Sequence, residues 1–132
     1  MLAALTLGVA TLGGISLLVG AVGILTVMTT AVSERTAEIG LLRSLGGSSA
    51  QVLGLFLGEA ILLSLAGGLL GLALSGVMLG GLHLLAPGLP LAFNPSLALI
   101  ALVLAAVVGV LAGFTPARHA ARLQPVEALR CE

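Results

Sequence analysis

Four charged side chains stand within ten residues: Glu34, Arg35, Glu38 and Arg43. Acids and bases interleaved at this density are equipped for ion-pair and hydrogen-bond recognition of another surface. They form no reaction centre, because the chain offers no nucleophile–base pair, no metal-ligand cluster and no Walker-type phosphate loop. Outside this island, Glu59 is a lone carboxylate inside an apolar run, a functional candidate by default and in one reading a proton relay. In the plainer reading it lies near the inner interface and bonds a neighbouring helix or an arginine. A helix starting near Ser48 would carry it only about 15 Å along the axis. His83 falls near the outer end of its apolar run, and His119 lies between Arg118 and Arg122. Those two arginines are one helical turn apart, placed to anchor a span against anionic lipid or to meet a cytoplasmic partner. Cys131 is the single cysteine, so no internal disulfide can form.

The elements that must position these groups are set by composition. Of 132 residues, 59% are hydrophobic and 8% charged, and mean hydropathy is +1.28. Soluble domains carry about 25% charged residues, so this chain is expected to be an all-α integral membrane protein. Formal net charge is zero, which gives no ground for nucleic-acid binding. A transmembrane helix needs about 20 mostly apolar residues. Residues 2–32 supply 31 without charge, 48–85 form a longer run broken only by Glu59 and His83, and 96–114 supply 19. None alternates as a barrel strand would. At about 1.5 Å per residue the second run exceeds one bilayer crossing, so part of it is expected to lie along the inner interface or beyond it. The expected single membrane domain, 1–132, therefore has spans at about 3–32, 50–85 and 96–114. A short helix at about 33–47, an outer loop at 86–95 and a tail at 115–132 join and finish them.

Orientation follows from the arginines. With three spans, the island and the tail share one side and hold Arg35, Arg43, Arg118, Arg122 and Arg130. The other side holds no basic residue. The positive-inside rule then places the N-terminus outside and the C-terminus in the cytoplasm. A cleaved signal peptide is disfavoured by the lack of a positive n-region and by the length of the first apolar run. Met1 at the membrane boundary suggests a truncated reading frame or the last part of a longer polypeptide.

Local signals mark the boundaries. Ser33 is expected to cap the island helix and Gly46-Gly47 to stop it. Ser48 and Gln51 have the spacing of a capping box. Asn94 and Pro95 read as a cap and first helical residue, and Thr115-Pro116 repeat that pattern to start a short inner helix, which Pro125 would break. Phe93 and Phe114 read as interfacial aromatics at either end of the last span. On the island, Ile39, Leu42 and Leu45 do not separate cleanly from Glu34, Arg35 and Glu38. A helix floating on lipid would divide them better, so docking into a protein groove fits. Small residues at four-residue spacing predict helix-packing faces at Gly54/Gly58, Gly67/Gly71/Ser75, Gly76/Gly80 and Ala105/Gly109/Gly113. Gly67-Gly68 is a candidate kink.

The run VSERTAEIGLLRSLGG, then FLGEAILLSLAGGLLGLALSG, then the ending TPARHAARLQPVEALRCE, together resemble the C-terminal membrane region of FtsX-like permeases. The MacB/LolC-type branch of ABC transporters is most similar, and the resemblance covers essentially the whole chain. It implies a bacterial inner-membrane permease whose family has four membrane helices, of which these would be the last three. It further implies that 33–47 is a coupling helix, with Glu34, Arg35, Glu38, Ile39, Leu42 and Arg43 contacting an ABC ATPase subunit or domain. ATP and magnesium would be held by that partner and no cofactor by this chain. A second permease subunit, homo- or heterodimeric, the lipid bilayer and a periplasmic partner complete the implied setting. Hydrolysis in the cytoplasm would move extracytoplasmic parts, by mechanotransmission, to export or extract substrate.

The chain departs from the family in having GGSSAQ where further basic residues often follow the LG corner. The family's first helix, its extracytoplasmic domain and any ATPase are absent from the sequence, which points to a fragment or one piece of a split transporter. Two other classes remain open on the residues alone: a small ion-coupled secondary transporter using Glu59, and a membrane scaffold with no transport role.

Overall fold

The computed structural model describes residues 2–85 and 94–123. Among them every regular element is helical: α1 (Leu2–Glu34), α2 (Thr36–Ser44), α3 (Ser49–Leu85) and α4 (Pro95–Arg122). Three of these are long and apolar enough to cross a membrane. Helices suit this composition because each satisfies its own backbone where no water can. Hydroxyls inside α1 follow the same rule. Thr26, Thr29, Thr30 and Ser33 each donate to the carbonyl four residues earlier.

Two boundaries differ from the sequence expectation. Ser33 does not cap an island helix. Its hydroxyl is spent on Thr29 inside α1, α1 runs on through Glu34, and α2 begins after a one-residue break at Arg35 (φ −99°, ψ 16°) with no side-chain cap. Thr115-Pro116 do not start a new helix. α4 continues through Pro116 to Arg122, so the stretch expected as the start of a separate tail prolongs the third span. Proline in a helix interior removes one hydrogen bond and crowds the preceding turn. Here Pro116 is buried, and packing offsets that loss. α3 is one helix of 37 residues, unbroken through Gly67-Gly68, and about 55 Å long at the standard rise. The expected loop residues Pro87, Pro90 and Phe93, and the tail with Pro125, Arg130 and Cys131, lie outside the described residues.

α4 is the central element. It packs along α3 and, less extensively, along α1, while α1 and α3 barely meet. The α3–α4 seam is an antiparallel row of small residues. A Cβ on Gly113 would strike the Ala60 side chain, one on Gly109 the Ser64 hydroxyl, and one on Gly68 would stand 3.1 Å from the Ala105 Cβ. Each step of four along α3 is matched by a step of four back along α4, which keeps the i±4 ridges of both helices in register. The row runs on through buried Phe56 and Val52 on α3 and buried Ala117 and Ala121 on α4. Met28 and Val32 of α1 and Ile39 of α2 join it, so the cluster of buried side chains among the described residues sits at the end of the bundle that carries the charged island. Beyond it the helices expose long runs of Leu and Val, as expected of surfaces that meet lipid tails or other membrane helices.

Candidate functional site

Among the described residues, the island and the helix ends around it are where polar chemistry and packing converge. α2 is held from both ends. At its start, Thr36 Oγ1 donates to the carbonyls of Val32 (3.1 Å) and Ser33 (2.8 Å), tying the break at Arg35 to the last turn of α1. At its finish, Gly46 takes φ +94°. Its N–H donates to Arg43 O (3.1 Å), and the Gly47 N–H donates to Leu42 O (3.0 Å). That pair of bonds around a left-handed residue is a Schellman stop. A Cβ on Gly47 would lie 2.7 Å from the Leu42 carbonyl oxygen, so both glycines are required by the turn. Ser48 and Gln51 then form the reciprocal capping box, with Ser48 N–H donating to Gln51 Oε1 (2.9 Å) and Gln51 N–H to Ser48 Oγ (3.2 Å). The path from α2 into α3 is therefore fixed residue by residue.

The six positions singled out on the island divide by environment. Ile39 is 4% exposed and part of the core. Arg43 reaches across 78 residues of sequence to donate from Nη1 to the backbone carbonyl of Ala121, in the last turn of α4. A cation is favourable at a helix C-terminus, where the carbonyls lack partners. Arg35 Nη1 lies 3.8 Å from Glu59 Oε2, with both side chains about half exposed (51% and 42%). Glu34, Glu38 and Leu42 are exposed, and Leu41 and Leu45 beside them are 62% and 79% exposed. One face of α2 thus grips the bundle. The other exposes Glu38, Leu41 and Leu42, flanked by exposed Glu34 at the end of α1 and Leu45 at the C-cap.

Glu59 stands beside an arginine of the island, which is the geometry of the plainer reading of that residue. Among the described residues, no three His, Cys, Asp or Glu side chains gather as a metal site would require. Arg118 and Arg122 are exposed on the last turns of α4, together with His119.

The glycines also divide. Gly109 and Gly113 lie at the seam with α3, whereas Gly54, Gly58, Gly67 and Gly71 have no neighbour within 4 Å of a would-be Cβ. Their four-residue spacing marks open faces of α3 and not a contact within this chain. The partner stripe that sequence reasoning missed is Ala60, Ser64 and Gly68. Its signal was available as three small residues four apart, but the adjoining Gly67/Gly71 pattern drew the assignment one residue away. Reasoning from sequence also missed the Arg43–Ala121 bond, for which no local signal exists.

The chain matches the FtsX-like permease C-terminal family over residues 10–125. It is 45% identical over 118 residues to the macrolide export ATP-binding/permease protein MacB of Escherichia coli strain K12. The protein of the same name from Shigella flexneri is 44% identical over 118 residues. Each alignment takes in 89% of this chain and 18% of the relative, so the chain spans less than a fifth of these relatives. The chain belongs to the FtsX-like permease C-terminal family.

Proposed function

We propose that this chain is the coupling membrane segment of a MacB/LolC-type ABC transporter. In this reading α2 is a cytoplasmic coupling helix. It receives movement from an ATP-binding subunit or domain and passes it through α3 and α4 to extracytoplasmic parts that export or extract substrate. The observation that carries the reading is the two-sided character of α2. Its inner face is pinned by buried Ile39 and by the Arg43 bond to the end of α4, while Glu38, Leu41 and Leu42 stay exposed, as does Glu34 at the end of α1. A helix fixed to the bundle on one side and exposed on the other can transmit a push. A helix tethered only through its loops would lose it in bending. The proposed ATPase contacts are accordingly Glu34, Glu38 and Leu42, with Arg35, Ile39 and Arg43 at the same interface holding the helix in place.

ATP and magnesium belong to the nucleotide-binding partner in this scheme, and the permease works as a dimer in the bacterial inner membrane with the N-terminus outside. The relatives are named for macrolide export, which makes macrolides the first compounds to assay. A cysteine at Glu38, with Cys131→Ser to remove the native thiol, should cross-link to an ABC nucleotide-binding protein or domain. Glu38→Arg should uncouple ATP hydrolysis from substrate while the spans stay folded. Unchanged coupling in Glu38→Arg would sink the docking assignment. Proton-linked transport abolished by Glu59→Gln and retained in Glu38→Arg would instead establish the ion-coupled alternative.

A further inference from the structure

The last turns of α4, the end of α2 and the start of α3 border an open recess lined by Arg43, Ser49, Leu53, Arg118, Ala121 and Arg122. We infer that this recess binds the phosphodiester headgroup of an anionic membrane phospholipid. Three guanidinium groups from two helices converge on it, and no carboxylate among the described residues lines it. The one ion pair among the described residues, Arg35–Glu59, uses a different arginine and the lone acid of α3. Arg43 is already oriented by its bond to the Ala121 carbonyl, so a further N–H edge of its fork is held at the recess with little left to order.

The α3 wall adds to this. Ser49 and Ala50 open that helix, and first-turn N–H groups with the positive end of the helix dipole favour an anion. The end of the apolar stretch of α4 beside the recess favours a lipid headgroup as the anion. Arg118 lies one turn beyond exposed Phe114, where the apolar stretch of α4 ends, and Leu53, one turn along α3 from Ser49, adds an apolar wall to the recess. A ligand seated here has its charge at the interface and an apolar continuation beside the exposed leucines above. That is the shape of a phospholipid, and basic recesses between membrane helices at this level are suited to such headgroups. The inference needs the membrane setting and does not depend on the docking of α2.

The test is lipid retention by the full chain, purified in neutral detergent and titrated with phosphatidylglycerol or phosphatidylcholine under native mass spectrometry. Phosphatidylglycerol should be retained in preference. Arg118→Gln and Arg122→Gln should each weaken that retention about fivefold, and the double variant by well over tenfold. Arg35→Gln, outside the recess, should leave it unchanged. The charge-preserving pair Arg118→Lys and Arg122→Lys should keep most of it, which separates loss of charge from loss of fold. Equal retention of both lipids, or equal loss in Arg35→Gln, would overturn the proposal. So would displacement of phosphatidylglycerol by millimolar inorganic phosphate, which would make the recess a soluble-anion site.

Discussion

Gly109 of α4 lies so close to Ser64 of α3 that a methyl group at position 109 would collide with the serine hydroxyl. Ser64 itself is satisfied within its own helix, donating to Ile61 O at 2.9 Å, so it contributes to the seam by being small. Lipid tails are as apolar as leucine, and helices in a membrane gain by close backbone approach where side chains are small. Gly109→Ala should therefore push α3 and α4 apart and destabilise the bundle by about 1–3 kcal/mol, read by denaturant titration in mixed micelles. Gly113→Ala should act alike through Ala60. Gly71→Ala, on an open face, should leave the unfolding midpoint of the isolated chain unchanged.

The sequence made the local parts of this arrangement legible. The Gly46 stop, the Ser48–Gln51 box and the Asn94 cap, whose Oδ1 accepts from Ser96 N at 3.0 Å, each involve residues at most five apart. Such features follow from short-range backbone rules alone. The seam was half legible. Gly109 and Gly113 stood out, but a row of small residues on one helix does not say which row faces it. Pro116 misled for the same reason, since the local rule reads Thr-Pro as a helix start while burial of the ring keeps α4 continuous. The Arg43–Ala121 bond depends on where two distant helix ends arrive, and no spacing announces it.

Breaking that bond gives the second prediction. Arg43→Ala removes a charged donor from the Ala121 carbonyl, a contribution of about 1.5–3 kcal/mol for a bond of this type. The loss should concentrate at the end of α4, as faster amide exchange over residues 119–122, with α1 little affected. Arg43→Lys should restore only part of the protection, because an ammonium cannot reproduce the fork.

Arg35 and Glu59 form a pair in which both partners are about half exposed, and such pairs contribute between about 0.2 and 1 kcal/mol. Glu59→Gln and Arg35→Gln should each have small effects on stability, with a double-mutant cycle giving a coupling within that range. Raising the salt concentration should shrink it further. A coupling of several kcal/mol would mean that the pair is buried in the assembled transporter, and Glu59 would then be shielded by another subunit.

The turn between α2 and α3 supplies the most direct way to separate folding from coupling. Gly46 adopts φ +94°, a conformation that costs an L-residue about 1–2 kcal/mol, and a side chain on Gly47 would meet the Leu42 carbonyl at 2.7 Å. Neither glycine touches the α3–α4 seam, so Gly46→Ala and Gly47→Ala should leave the unfolding midpoint of the spans nearly intact while loosening the end of α2. If α2 couples as proposed, these variants in the assembled transporter should hydrolyse ATP at the basal rate and lose its stimulation by substrate, because the helix would give way under load. Gly46→Asn, which tolerates left-handed backbone better than alanine, should recover a measurable part of the stimulation. That rescue would not occur if the glycines acted only by bringing the chain close to a partner.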